Sequence, residues 1–410
     1  MRKPSLLLIP LLVALTTACE PFNSGSGEGG STSTQSQIIH SSEEYESGIH
    51  PLQIQYSNPL SFVVGYNDSE GFESIADPFV THNDQDGYFY LAASNTYVHD
   101  SDYKVLFDYG AIWRSVDLSS WRYAGTVFPD QANDLTWLTG TTDADGKLQV
   151  NAPCLVKINN LWVYYYTLTR GYWNNPGIGL AYAPSPSGPW TNSGKLFRSD
   201  EIGVKNSSDQ DVFVDDDGKV YMSFGSGDGV WLVELTEDGL ALKGGIADAK
   251  ENKVWIAGYK DGVGNLNNYE GANIAKKDGS YYLYLSTGGW DGGVDSKYHT
   301  LVGKSEKISG PYCDSLKRDL KSAFQGDDVL VPNKETATGV GHSNIYQDSD
   351  GQEWIFYHGY DQTGRGNPNV RILFCDKIIY NSQTNMPYVE NHSPKYGTQY
   401  GPYVKEAFYG

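Results

Sequence analysis

Asp77-Pro78-Phe79-Val80-Thr81-His82-Asn83-Asp84-Gln85-Asp86-Gly87-Tyr88-Phe89-Tyr90-Leu91-Ala92 reads as two short strands joined by an acidic, Gly-containing turn. Four more stretches repeat the phrase, starting at Ala152-Pro153-Cys154-Leu155, Asp209-Gln210-Asp211-Val212, Glu270-Gly271-Ala272-Asn273 and Gly341-His342-Ser343-Asn344. The starts lie roughly 60–75 residues apart, a spacing in the range of repeat architectures. The strand pattern agrees between copies while the starting side chains differ. A repeated scaffold that presents different groups builds one asymmetric site.

Each copy also has a second half. Gly110–Ser115 leads to Tyr123–Phe128, Gly177–Ala183 to Gly194–Phe197, and Val230–Leu235 to Leu240–Lys243. Leu301–Ser305 leads to Ser309–Tyr312, and Arg371–Tyr380 to Tyr388-Val389. Runs of Val, Ile, Tyr, Phe and Trp favour a pleated sheet, and the Gly, Pro and Asp between them favour hairpins. No long amphipathic helix is legible after residue 50. Radial repetition of four-stranded units predicts an all-β fold, a five-bladed β-propeller of antiparallel four-stranded blades.

The chain has 410 residues, 13% of them aromatic, with 31 Tyr, enough for one large β domain over 48–410. Net charge is −20 and no basic stripe exists, which argues against nucleic acid and anionic membranes as partners. The same charge disfavours polyanionic substrates. Residues 1–18 read as an export signal: Arg2-Lys3, an apolar run from Leu6 to Leu15, then Thr16-Thr17-Ala18 before Cys19. Small residues directly before a Cys resemble a bacterial lipoprotein processing site, so Cys19 is the expected lipidation position, although Leu15 sits one place earlier than usual. Residues 19–47, rich in Ser, Gly and Thr, read as a flexible tether. The expected location is therefore the bacterial envelope, lipid-anchored, or secreted, with the lipid as the only membrane contact and a monomeric domain. Cys154, Cys313 and Cys375 show no metal-ligand spacing and read as small apolar residues.

In a propeller the inner strands start near the axis, so Asp77, the Asn151–Pro153 turn, Asp209, Glu270 and His342 are expected to converge at one mouth. Three carboxylates in one small site do not ionise alike. Glycosidic hydrolysis uses that difference: one carboxylate activates water and a protonated carboxyl donates to the leaving oxygen. Asp215-Asp216-Asp217-Gly218 reads as a hairpin turn rather than a metal loop.

These residues resemble glycoside hydrolase family 43, over about residues 70 to 390. The resemblance implies a five-bladed propeller that cleaves arabinan- or xylan-type polysaccharide with inversion. Ala76-Asp77-Pro78-Phe79-Val80 resembles the segment of the general base, Tyr269-Glu270-Gly271-Ala272 that of the general acid, and Asn206-Ser207-Ser208-Asp209 that of an Asp which modulates the acid. Gly341-His342-Ser343 resembles the segment whose His faces an axial ion, often calcium, and Arg371 resembles an Arg that contacts sugar. Imidazole is a poor direct ligand for calcium, so His342 is expected to hold a water of the ion's shell. Asn151 and Trp290 are expected to face the sugar, with Trp137 and Trp173 as further residues of the mouth. Ser296-Lys297-Tyr298, Gly310-Pro311-Tyr312 and Tyr357-His358-Gly359-Tyr360 are most similar to the endo-arabinanase branch, which implies α-1,5-linked L-arabinan as substrate. The chain departs from the family pattern at Asn151, where a Trp is usual, and at Gln210, where a Pro is usual. An arabinofuranosidase or β-xylosidase of the same family is the alternative. A sugar-binding propeller would repeat one residue set in every blade, which these starts do not do. A fructan-cleaving hydrolase would need Asn-Asp-Pro-Asn-Gly, Arg-Asp-Pro and Glu-Cys segments, which are at best half matched.

Overall fold

The computed structural model describes residues 39–40, 49–60, 74–99, 105–138, 148–170, 175–258, 268–322, 326–364 and 368–407. Among them strands dominate, and the α-helices Ser199–Ile202 and Gly245–Asn252 are short. The fold is all-β. Three four-stranded antiparallel sheets form in chain order. Phe79–Asn83, Tyr88–Ala92, Ala111–Ser115 and Arg122–Thr126 make the first sheet. Leu148–Ile158, Leu161–Arg170, Gly177–Ala183 and Thr191–Arg198 make the second; Asp211–Val214, Val220–Phe224, Val230–Glu234 and Val254–Ala257 make the third. The next sheet has eight strands and consists of two meanders. Glu270–Lys277, Ser280–Thr287, His299–Ser305 and Asp327–Leu330 form one; Ala337–Gln347, Glu353–Asp361, Ile372–Tyr380 and Pro387–Val389 form the other. A single parallel pair, His299 with Val340, joins them.

Why these strands are apolar along their whole length follows from packing on both faces. Along Tyr88–Ala92, Phe89 and Leu91 pack with Trp354 and Phe356 of the last meander, whereas Tyr90 and Ala92 pack with Tyr164 and Tyr166 of the second sheet. Val163 and Tyr165 point the other way, onto Met222 and Phe224 of the third sheet. Leu283 and Leu285 meet Val230 and Leu232, while Tyr282 and Tyr284 meet Ile355 and Tyr357. Each sheet is thus buried between its two neighbours, and the last meander packs back onto the first sheet.

The inner strands repeat this order. Phe79–Asn83 touches Leu148–Ile158, which touches Asp211–Val214, then Glu270–Lys277, then Ala337–Gln347, which returns to Phe79–Asn83. Hydrogen bonds run around the same circle. Val80 N–H donates to Asn344 Oδ1 (2.8 Å), Ile345 N–H to Asn273 Oδ1 (3.1 Å) and Ile274 N–H to Asp211 Oδ2 (3.1 Å). Val212 N–H reaches the Cys154 sulfur. The remaining step falls on Phe79, which has no acceptor.

Two outer strands differ from the sequence reading. The third sheet closes with Val254–Ala257, because Leu240–Lys243 makes only a bridge from Leu242 to Leu235 before the helix Gly245–Asn252. The fourth outer strand is Asp327–Leu330, because the stretch after Ser309 turns back, with Cys313 bridging Lys304 and Asp319. A further ribbon pairs Ile49–Asn58 with Gly397–Ala407, outside the four-stranded units. Asp215–Gly218 is the hairpin turn expected, with Gly218 N–H donating to Asp215 O (2.9 Å). Cys154 and Cys375 are buried, and both they and Cys313 are free thiols.

Candidate active site

Where each inner strand begins its descent, one residue adopts a left-handed backbone: Asp77 (φ 54°), Ala152 (45°), Asp209 (55°), Gly271 (57°) and His342 (53°). A positive φ is uncommon outside Gly, and here it recurs at every copy. Pairing register breaks beside Ala152, Gly271 and His342, the signature of a bulge that re-aims a side chain. This corrects the sequence register in two copies, where the starts read as Glu270 and Gly341 belong one residue later, at Gly271 and His342. Gly271, not Glu270, is the equivalent of Asp77 and Asp209, so Glu270 enters one residue earlier and shares its position with Asn151.

Asp77 is gripped from several sides. Ser94 Oγ donates to its Oδ2, and its own N–H donates to His358 Nδ1 (3.0 Å). His342 Nδ1 lies 3.3 Å from its Oδ1, and Arg371 Nη1 lies 3.5 Å away. Burial opposes the charge, yet His342, Arg371 and the Ser94 hydroxyl outweigh it and hold the carboxyl well below its ordinary value. Asp77 is the carboxylate that stays ionised.

Asp209 goes the other way. Burial raises it to about 7; His342 opposes that, while the charges of Glu270 and Asp77 add to it. Its N–H donates to Thr167 Oγ1 (3.1 Å), and its Oδ2 accepts from Gly271 N–H (3.3 Å). Gln210, in the place of the family's Pro, links two inner strands: its Oε1 accepts from Thr167 Oγ1 (2.8 Å) and its Nε2 donates to Ala152 O (2.6 Å). Glu270 accepts from Tyr298 Oη at Oε1 (2.7 Å) and from Ser226 Oγ at Oε2 (2.8 Å). The left-handed Gly271 matters here, since a Cβ at this position would lie 3.1 Å from His342 Nδ1.

Arg371 carries its guanidinium over the Trp290 ring, 4.8 Å from the centroid, and Tyr360 Oη holds Trp290 O (2.9 Å). Trp290 is 42% exposed, an aromatic face beside Asp77 and Arg371. Asn151 is half-buried next to the Ala152 turn, whose N–H donates to Ser94 Oγ (2.9 Å). Trp137 is instead a packing residue: its Nε1 donates to Tyr166 Oη (3.0 Å), and it packs under the second sheet's outer strands at Gly177 and Gly194. Trp173 and Cys19 lie outside the described residues. Ser94, Thr167, Ser226, Tyr298 and His358 were not given roles by the sequence. Thr167, Ser226 and His358 act across sheets and Ser94 and Tyr298 within one, each on a residue at least 17 positions away, so no local pattern marks them.

Among the described residues no group of three His, Cys, Asp or Glu side chains is arranged to hold a metal. A cavity of about 20 Å³ is lined by Asp209, Gly271, His342, Asn273 and Asn344, among others. That is room for about one water. Imidazole suits a water of an ion's shell better than the ion itself, so His342 is the residue that would hold such a water.

Known proteins are similar to this chain. The family model described as glycosyl hydrolases family 43 matches residues 72–384. An extracellular exo-α-(1→5)-L-arabinofuranosidase of Cellvibrio japonicus is 28% identical over 278 residues, covering 64% of this chain and 76% of the relative. An extracellular endo-α-(1→5)-L-arabinanase of Bacillus subtilis is 26% identical over 263 residues, covering 64% and 75%. Among solved structures, an exo-1,5-α-L-arabinanase from a bovine ruminal metagenomic library superposes with a TM-score of 0.61 at 25% identity, covering 80% of this chain and 100% of that one. With most of its length matched by one family model, the chain belongs to glycosyl hydrolases family 43 and is a glycoside hydrolase.

Proposed function

We propose that this chain is an arabinan hydrolase that cleaves α-1,5-linked L-arabinan with inversion, on a five-bladed β-propeller. The observation that carries the reading is the opposed charge state of Asp77 and Asp209 at one site that also holds Glu270. Asp77 is the general base, kept in its proton-accepting form by His342, Arg371 and Ser94. Glu270 is the general acid that protonates the leaving oxygen. Asp209 is the modulator, and being raised to about 7 it keeps a proton next to Glu270 at mildly acidic pH. Water attacks the anomeric carbon while Asp77 takes its proton, and the bond to the leaving oxygen breaks on the opposite face.

Trp290 supplies a sugar-stacking face, Arg371 hydroxyl-binding donors, and Asn151 a polar wall in place of the family's Trp. The propeller reading is supported by the cyclic order of inner-strand contacts and by cores shared between successive sheets. The arabinan reading is supported by relatives named for α-(1→5)-arabinan, and their net action is split between exo and endo. Endo attack is the primary reading; the exo relatives favour arabinofuranosidase action as the second. The product pattern on linear arabinan decides. Mixed oligosaccharides from the start mean endo attack, arabinose alone means exo attack, and activity on xylo-oligosaccharides without release from arabinan overturns the substrate.

An axial cation, calcium by the resemblance, would be held through its water shell by His342 and would favour the ionised forms of nearby carboxylates. Chelation should then lower both activity and melting temperature; no change in either, with no metal on elemental analysis, removes the ion from the account. The domain works as a monomer outside the cytoplasm, tethered through a lipid on Cys19. Extracellular relatives support export. Cys19→Ala should release the protein from the envelope fraction, and retention there would contradict the anchor.

A further inference from the structure

His358 is fully buried, yet it belongs to no acid–base role above. Its Nδ1 accepts the Asp77 N–H at 3.0 Å, which fixes that nitrogen as the unprotonated one. Burial, with Arg371 next, pushes the imidazole well below its ordinary value, so the ring is neutral. On one face it stacks on the Tyr298 ring, with centroids 5.6 Å apart and planes 10° apart. The His342 ring lies near-parallel to it as well, at 6.2 Å and 24°. Its Nε2 has no hydrogen-bond partner among the described residues, so stacking, not a second hydrogen bond, sets its orientation. Tyr298 is itself buried, and its hydroxyl donates to Glu270 Oε1 at 2.7 Å. Gly341, paired opposite His358, leaves the space for this stack: a Cβ there would lie 2.6 Å from Tyr298 Cδ1.

We propose that His358 is a positioning residue which, with Tyr298 stacked on it, sets the separation between the Asp77 and Glu270 carboxyls. One partner of the stacked pair grips Asp77 by its backbone, at a left-handed residue whose N–H direction determines where the carboxylate points. The other grips Glu270 by its side chain. An inverting hydrolase needs a fixed gap, roughly 6.5–9.5 Å, to seat water between base and sugar. Misplacement by about 1 Å can cost about 10²-fold in rate. The inference rests on the assignment of Asp77 and Glu270 in the proposed function.

The test uses three variants of the full chain, with Asp77→Ala as a control, assayed on an arabino-oligosaccharide and on an aryl arabinoside with a good leaving group. His358→Phe keeps a stacking ring and loses the acceptor. Its kcat should fall about 10²-fold with KM within about 2-fold, and the good leaving group should bring no relief, because the base is misplaced. His358→Asn, whose Oδ1 can stand in for Nδ1, should recover part of that loss. Tyr298→Phe keeps the stack and frees Glu270; its defect should shrink on the good leaving group. If His358→Phe fails to fold, as judged by melting temperature and near-UV circular dichroism, the other two variants carry the test. The proposal is overturned if folded His358→Phe has wild-type kcat, if its loss lies in KM, if His358→Asn is no better than His358→Phe, or if Tyr298→Phe loses equally on both substrates. Asp77→Ala separates the two levels. If it retains activity, the assignment of the base fails; if it abolishes activity while folded His358→Phe is unaffected, only the role of His358 fails.

Discussion

Half-buried Asp77 and buried Asp209 share one backbone conformation, and their surroundings drive their carboxyls apart. The cationic Arg371, His342 and a serine hydroxyl surround the first, while burial and two carboxylates act on the second. The pH profile should follow. The form with a proton beside Glu270 is lost as pH rises through about 7, so kcat/KM should fall there. Asp77 should impose no limb on the acid side until well below the ordinary Asp range. An acid limb at pH 5 or so that disappears in Asp209→Asn would contradict this order. The two outer roles separate chemically as well. Asp77→Ala and Glu270→Gln should each lose about 10²–10⁴-fold on polysaccharide, and only Glu270→Gln should recover on a substrate with a good leaving group. Equal loss on both substrates would undo the assignment. At this scale the sequence was readable where a residue opens a repeat, as Asp77, Asp209 and His342 do. It was unreadable for Ser94 and His358, whose meaning lies in contacts to Asp77 from 17 and 281 positions away.

Inner strands and their hairpin partners were legible because both faces are buried and the apolar run is continuous. Two outer strands were not: Asp327–Leu330 opens on two acids and resembles a loop, while Val254–Ala257 is apolar but follows the helix Gly245–Asn252, which the repeat pattern did not foretell. The terminal ribbon was missed for a different reason, since its partners are the two ends of the chain. Asn58 shows what it does. Its Nδ2 donates to Cys375 O (2.7 Å), Asp376 Oδ2 (3.0 Å) and Lys395 O (3.1 Å), and its Oδ1 accepts from Cys375 N–H (3.0 Å). Leu60 N–H and Ile75 N–H continue the same edge at Leu373 O and Arg371 O, both at 2.9 Å. Asn58, Leu60 and Ile75 therefore line the half of Ile372–Tyr380 that Pro387–Val389 leaves open. Asn58→Ala would leave several buried groups unpaired at about 1–3 kcal/mol each. Urea unfolding should show a loss of about 3 kcal/mol, with kcat/KM of the folded enzyme unchanged. A loss under about 1 kcal/mol would mean that the ribbon is not a clasp.

Across the whole molecule, side chains scattered from residue 77 to residue 371 meet because the inner strands close a circle. The count of repeats and the spread of their starting residues foretold the convergence. The one-residue offset of Glu270 needed the backbone, because only the recurring positive φ reveals which residues are equivalent. A net charge of −20 suits a neutral polysaccharide and leaves Arg371 beside Asp77 as a local exception. The central claim is that Asp77 activates a water opposite a leaving group protonated by Glu270. Proton NMR of the first product formed from linear α-1,5-arabinan tests it directly. The account predicts that the β-anomer appears first and then mutarotates; an α-anomer formed first would mean retention, a covalent route, and a different role for Asp77.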